Sequence, residues 1–256
     1  MEKKSIAAIR EELNNTPPEQ LQAQIDLYRG DGRKGVQSIV ASQEKRLQKY
    51  EAERIRIENL CQFEKKYEEY TYICGIDEVG RGPLAGPVVA GAVILPKDCR
   101  ILYINDSKKL SAKKREELSR EIQEKALAVG IGLSTQERID EINILQATYE
   151  AMRKAIAALP VRPSLLLNDA VTIPEVDIPQ VGIVKGDARS ISIGAASIVA
   201  KVYRDAMMEE YDRMYPGYGF ASNKGYGSAE HIEALHRMGP CPIHRRSFLK
   251  SILQER

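Results

Sequence analysis

Three short apolar runs in this chain each lead into acidic residues, and that recurrence constrains the fold more than any other feature. Residues 72–76 run into Asp77 and Glu78, the leucines at 165–167 into Asn168 and Asp169, and residues 181–185 into Gly186 and Asp187. Two further apolar runs, at 88–95 (stopped by Pro96) and 128–133, have the length of buried strands. Between the runs, Ile142, Leu145, Tyr149, Met152, Ile156 and Leu159 recur at helical spacing within 137–159, ahead of Pro160. Residues 190–214 read as a long, alanine-rich helix. Two hairpin-like early strands followed by strand–helix alternation predict an α/β protein, a mixed sheet with helices packed on it.

At 256 residues the chain has room for one large domain, or one domain with an appendage. Hydrophobic residues make up 43% and charged residues 29%, as in ordinary globular proteins rather than disordered or fibrous ones. The longest apolar-rich stretch, 82–95, is too short and too rich in Gly and Pro to span a membrane, so no membrane association is expected. The N-terminus leads into no long apolar core, and no secretory leader is expected. Cys61, Cys74, Cys99 and Cys241 lack the paired spacing of a zinc cluster, which points to a reducing, cytoplasmic setting. The formal charge of +2 neither demands nor excludes a nucleic-acid partner. Residues 221–256 carry six Lys/Arg against three Glu, and all three histidines, so this end is mildly basic.

The composition changes near residue 70. Residues 1–70 are polar, with breaks at Thr16-Pro17-Pro18 and at 29–33. Asn15 or Thr16 is placed to cap a helix starting at the prolines. Residues 41–70 contain no helix breaker, and Leu60, Phe63 and Tyr67 would share one face. This segment is expected to be a helical N-terminal extension, serving either solubility and docking or as a substrate-binding arm. Residues 71–256 would form the main domain.

Acids at strand ends can converge at one sheet edge although distant in sequence. Clustered carboxylates repel one another, and hard divalent cations relieve that cost. Mg²⁺ and Mn²⁺ favour carboxylate ligands, and a pair of ions can clamp a phosphodiester for attack by water. Each acid taken alone reads equally well as a turn former or helix cap. Directly after the first acids, residues 79–87 (Val-Gly-Arg-Gly-Pro-Leu-Ala-Gly-Pro) place Arg81 among glycines that permit close backbone approach. No dinucleotide or Walker fingerprint is present, and the stretch also reads as a tight hairpin turn.

The run Gly75-Ile76-Asp77-Glu78-Val79-Gly80-Arg81-Gly82-Pro83-Leu84-Ala85-Gly86-Pro87-Val88-Val89 resembles the signature of type 2 ribonucleases H, specifically the bacterial ribonuclease HII family. Matching stretches follow in order at 105–110, 185–187, 195–205, 218–227 and 244–248, so the resemblance covers essentially all of 71–256. It implies the ribonuclease H-like fold, a mixed sheet flanked by helices, with 71–256 as the catalytic domain including a C-terminal helical part. It also implies an endonuclease acting on RNA in RNA–DNA hybrids and on single ribonucleotides embedded in duplex DNA, leaving 5′-phosphate and 3′-hydroxyl ends. The family's Asp-Glu-Asp-Asp quartet falls on Asp77, Glu78, Asp169 and Asp187, with Mn²⁺ or Mg²⁺ as cofactor. Its Gly-Arg-Gly motif, which meets the ribose 2′-hydroxyl and a phosphate, falls on Gly80, Arg81 and Gly82. Its junction-sensing tyrosine falls on Tyr226.

Asn168-Asp169-Ala170 stands where the family often has Asp-Gly, the acid being retained. The related ribonuclease HIII lacks the arginine that Arg81 supplies, so the chain is expected to act as an HII enzyme. Lys201 and Lys224 are candidate phosphate contacts or plain solvated surface. Asp106-Ser107-Lys108 is expected to be structural, and so is His244. His231 and His236 are spaced wrongly for a helical zinc site, and Asp205 is expected as a helix-surface acid. A monomer is expected.

Overall fold

Ser5 opens the first helix: its hydroxyl accepts a hydrogen bond from the Ala8 amide, and α1 follows at Ile6–Asn15. Pro18 supplies a preset φ to the start of α2 (Pro18–Tyr28), and α3 runs from Lys34 to Leu60. The computed structural model, which describes residues 4–253, divides into two compact units, Met1–Glu58 and Asn59–Arg256. The first is held by a small core of Ile9, Leu13, Leu21, Ile25, Val36, Ile39 and Val40. The helix expected over 41–70 therefore differs in two ways. It starts seven residues earlier, because Val36, Ile39 and Val40 have their own apolar face to bury. It also breaks at Cys61, and α4 (Gln62–Lys66) follows. Residues 59–70, expected with the extension, lie in the second unit. There Phe63, Tyr67 and Tyr70 pack on Ile73, Leu165 and Ile193, so side-chain burial rather than composition sets the boundary.

The second unit is built on a five-stranded mixed sheet. Strands β1 (Ile73–Val79) and β2 (Val88–Ile94) are antiparallel, and beyond helix α5 (Ala112–Lys125) comes β3 (Ala128–Ser134), antiparallel to β2. After α6 (Gln136–Ala157), β4 (Leu165–Asp169) pairs parallel to β1, and β5 (Gln180–Ile183) parallel to β4. The order is β3-β2-β1-β4-β5, which puts β1 in the middle. Helix α7 (Ile191–Met214) and the C-terminal helices α8 (Phe220–Asn223), α9 (Ala229–Met238) and α10 (Arg246–Leu253) complete the unit.

Small residues let the helices sit close to the sheet. A Cβ on Gly75 would fall 2.0 Å from the Ser192 carbonyl carbon, and one on Gly91 2.5 Å from the Ala196 oxygen. On the opposite face, a Cβ on Gly132 would fall 2.1 Å from the Ala151 oxygen of α6. Strand alternation thus gives one face of the sheet to α7 and the other to α6. Glu64 of α4 secures the start of α7, its Oε1 accepting from the Ser192 amide at 3.1 Å and from the Ser190 hydroxyl.

Two expectations are corrected here. The helix over 137–159 is two helices meeting at Asn143, whose φ of 67° and ψ of 165° are not helical. The Asn143 side chain caps the second piece by accepting from the Leu145 and Gln146 amides. The β1–β2 connection is a wide loop over 80–87 instead of a tight turn.

Candidate active site

β1 carries Asp77 and Glu78 at its C-terminal end, and the parallel β4 carries Asp169 at its own, one residue past the Ile76–Asn168 pair. β5 ends opposite Asp169, at Ile183, and the next turn holds Asp187. The Gly186 amide donates to Asp169 Oδ1 at 2.7 Å, tying that turn to the end of β4. All four acids therefore meet at one sheet edge. Two of the connecting residues sit in the left-handed region without being glycine: Ala170 at φ 55° and Lys185 at φ 57°. Ala170 stands where the resembled family often has glycine, and its backbone takes the left-handed conformation that glycine suits.

Burial and neighbouring acids make Asp77, Glu78 and Asp187 hard to ionise. Asp77 is raised well above the usual aspartate value, first by desolvation and then by Glu78, against a hydrogen bond from Ser197. Desolvation also raises Glu78, opposed by Arg81, whose Nη1 lies 3.1 Å from Oε1. The other oxygen, Oε2, is buried without a partner. Asp187 is raised by desolvation, then by Asp106 and Asp169, with Lys108 opposing. An orphaned buried carboxylate oxygen among repelling acids, all hard oxygen donors, fits a divalent cation. Among the described residues, however, no three His, Cys, Asp or Glu side chains are arranged to share one ion. A cation held there would need to draw these side chains together, and Asp169 already spends one oxygen on the Gly186 amide.

Beside the acids, Gly80-Arg81-Gly82 is held from beneath by Arg245, which donates to the carbonyls of Gly80, Arg81 and Gly86. Arg204 of α7 donates to Ala85 and Pro87 and, through Nη1 at 2.9 Å, to the carbonyl of Lys224. The second loop is thereby stitched to the first, and Leu84 and Gly225 bond across at 2.8 Å. A Cβ on Gly82 would lie 3.7 Å from Tyr226 Cε1, so the half-exposed tyrosine ring flanks the glycine loop.

The two lysines behave differently from Tyr226. Lys201 turns inward to Asp205 at 2.6 Å, and Asp205 also meets Arg115. Asp205 is therefore the half-buried centre of an ion cluster and not a surface acid. Lys224 pairs with Glu209 at 2.7 Å, and its backbone at φ 52° shapes the loop. Asp106 caps the short turn over Ser107–Lys109 as expected. His244 is buried and hydrogen-bonded, also as expected.

Sequence reasoning did not single out Ser197, Arg204 or Arg245, and it weighed His231 only as a zinc ligand. Ser197 and Arg204 lie in the matching stretch 195–205, but nothing local marks them as buried.

The family model "Ribonuclease HII" matches residues 74–251, and "Ribonuclease HII N-terminal domain" matches residues 5–68. This chain belongs to the ribonuclease HII family. The ribonuclease HII of Lachnoclostridium phytofermentans is 67% identical over 227 residues, 89% of each chain. That of Clostridioides difficile is 53% identical over 255 residues, 99% of this chain and 100% of the other. Among solved structures, the ribonuclease H2 of Pyrococcus horikoshii aligns with a TM-score of 0.59 at 27% identity, covering 71% of this chain and 97% of that one. The ribonuclease HII of Archaeoglobus fulgidus, solved as its complex with PCNA, aligns with a TM-score of 0.59 at 26% identity, covering 72% and 98%. The chain is a ribonuclease H-type hydrolase with a ribonuclease H-like mixed sheet.

Proposed function

We propose that this enzyme hydrolyses the RNA strand of RNA–DNA hybrids and cuts on the 5′ side of single ribonucleotides embedded in duplex DNA. The observation that carries this reading is the placement of the Tyr226 ring beside Gly82, within van der Waals reach of where a Cβ on that glycine would stand, next to the acid-bearing end of β1. The 2′-hydroxyl distinguishes RNA from DNA, and a glycine loop brings backbone groups close enough to read it. Tyr226 offers an aromatic face to the adjoining deoxyribose, which a 2′-hydroxyl would crowd. Together they select a step from ribose to deoxyribose.

Asp77, Glu78, Asp169 and Asp187 would hold Mg²⁺ or Mn²⁺. Bound there, the ions supply an activated water and charge stabilisation for the departing 3′-oxygen, leaving 5′-phosphate and 3′-hydroxyl ends. Asp77 must give up its proton for this, and the Ser197 hydroxyl favours the ionised form. Arg81, exposed at the loop tip, is placed to exchange its contact with Glu78 for a substrate phosphate. Lys201 and Lys224 would contact the backbone only after leaving Asp205 and Glu209. The N-terminal unit is a candidate second grip on the duplex. We read the enzyme as a cytoplasmic monomer, and among the described residues no helix is long and apolar enough to cross a membrane.

The test is cleavage of a DNA duplex containing one ribonucleotide, with Mg²⁺, Mn²⁺ or chelator. Metal-dependent cutting 5′ of the ribonucleotide is expected. Cutting of long RNA stretches alone would replace this reading with a ribonuclease HIII-like preference. Binding without cutting of either substrate would make the chain a non-catalytic hybrid binder.

A further inference from the structure

Three successive carbonyls place the loop that carries Tyr226. That of Lys224 accepts from Arg204, that of Gly225 from the Leu84 amide, and that of Tyr226 from the Ser228 amide at 2.8 Å and from His231 Nδ1 at 2.8 Å. His231 is therefore the side chain that grips the tyrosine's own peptide. It is fully buried, and its Nε2 lies 2.9 Å from Nε2 of His244.

The proton positions follow from the partners. A carbonyl only accepts, so Nδ1 of His231 carries its proton and Nε2 is bare. Nε2 of His244 must then donate, which leaves its Nδ1 bare. That atom accepts from the Cys241 amide at 3.0 Å and faces the Cys241 thiol at 3.1 Å. The Cys241 carbonyl, 3.3 Å from the same nitrogen, is then left without that bond. The neutral pair has one consistent arrangement: Cys241 to His244 to His231 to Tyr226.

The surroundings hold the pair neutral. Tyr218 and Phe220 pack on both rings, with Phe220 edge-on to His231 at 5.3 Å and Tyr218 edge-on to His244 at 5.0 Å. The Tyr218 hydroxyl points away, to the Gly239 carbonyl. Burial pushes both imidazoles below the usual histidine value, His244 to about 4.

We infer that His231, oriented by His244, is a positioning residue for Tyr226 and so tunes recognition of the ribose–deoxyribose junction. This rests on the junction-reading role proposed for Tyr226. His231 touches neither the acids nor Arg81 in this arrangement. Its effect would pass through one peptide to one ring.

Two substitutions separate positioning from bulk stability. In His231→Asn the amide nitrogen can replace Nδ1, keeping the bond to Tyr226 while losing His244. In His231→Gln the amide reaches the Nε2 position, keeping His244 while losing Tyr226. Both remove a buried ring, so both lower the melting temperature. On a duplex with one ribonucleotide, His231→Gln should lower kcat/KM about tenfold, the worth of about one buried hydrogen bond. His231→Asn should stay within about threefold of the parent on the same measure. In a Tyr226→Ala background, His231→Gln should cost no more than about twofold further, because coupled residues are not additive.

Loss of kcat/KM in Tyr226→Ala with none in His231→Gln would overturn this inference and leave the junction reading standing. No loss in Tyr226→Ala would overturn the junction reading itself. A His231→Gln loss that persists in full in the Tyr226→Ala background would overturn positioning through Tyr226. Independently of any variant, long-range ¹H–¹⁵N spectra of the parent enzyme should show His231 protonated on Nδ1 and His244 on Nε2. The opposite tautomers would overturn the chain of bonds.

Discussion

Arg204 and Arg245 reach the Gly80–Pro87 loop from different parts of the chain and bind neighbouring carbonyls, those of Ala85 and Gly86. Both side chains are fully buried. Desolvation lowers both, Arg245 to about 9, where repulsion from Arg204 adds to the effect. A planar fork spreads five donors over three nitrogens and so reaches carbonyls that stand apart, whereas an ammonium's three donors all leave one nitrogen. Arg245→Lys should therefore unfold at lower urea, with a loss of about 2–4 kcal/mol, because it strands carbonyls at Gly80, Arg81 and Gly86. An unchanged urea midpoint would show that the loop holds itself.

Asp77 sits at the point of conflict between stability and function. Its folded-state pKa lies above its unfolded value, so the stability it lends is present at low pH and is lost as pH rises through the folded value. At neutral pH with chelator, Asp77→Asn should melt higher than the parent, and with Mg²⁺ or Mn²⁺ present it should lose cleavage while retaining hybrid binding. Adding Mn²⁺ should raise the parent's melting temperature and leave the variant nearly unmoved. Comparable turnover by Asp77→Asn would remove Asp77 from the site.

The imidazole pair works in the opposite sense. Unfolded histidines take up protons below about pH 6.5, whereas buried His244 stays neutral down to about 4. The unfolded state binds more protons across that window, so stability falls as the pH drops from 6.5 to 4. The loss assigned to His244 is on the order of 3 kcal/mol. His244→Phe should flatten this limb of the stability–pH curve in chemical unfolding, and an equally steep limb would assign it elsewhere.

Ala170 follows Asp169 with a φ of 55°, which costs an L-residue about 1–2 kcal/mol. Ala170→Gly removes that strain and loses some unfolded-state entropy in exchange. The variant should match the parent's stability or exceed it by up to about 1 kcal/mol, with cleavage preserved. A clear drop in melting temperature would mean that the Ala170 methyl packs to a purpose.

Gly75 tests the close seat of α7. The carbonyl carbon of Ser192 lies 2.0 Å from where a Cβ would stand, and backbone cannot rotate away. Gly75→Ala should destabilise by at least about 3 kcal/mol in urea unfolding, at the high end of overpacking costs. Tolerance of the methyl would mean that α7 can slide along the sheet.

The apolar runs at 72–76, 88–95, 128–133 and 165–167 were legible because a buried strand needs continuous apolar side chains, whatever lies around it. The long helix after Ser190 was legible for the same reason. The break at Asn143 was missed because the apolar spacing continues across it and only the asparagine's own capping bonds reveal the turn. Cys61 hid its break similarly: α4 departs from α3 to bury Phe63 and Tyr67, which a uniform run of charges does not announce. The convergence of the four acids could be anticipated from their places at strand ends. The inward turn of Lys201 could not, since Asp205 one helical turn away and Arg115 from another helix had first to be brought together.

By itself, the order of residues determined which segments bury themselves in the sheet and where the carboxylates stand along the strands, because both follow from local spacing. The family resemblance was equally local, a matter of consecutive residues. Only the tertiary structure decided that two arginines would hold a glycine loop by its carbonyls, that a histidine pair would grip the peptide of Tyr226, and that the Tyr226 ring would lie beside Gly82. Those contacts join positions 117–165 residues apart, or depend on burial that removes water as a competing partner. A hydrogen bond of that kind exists only once the packing around it is complete.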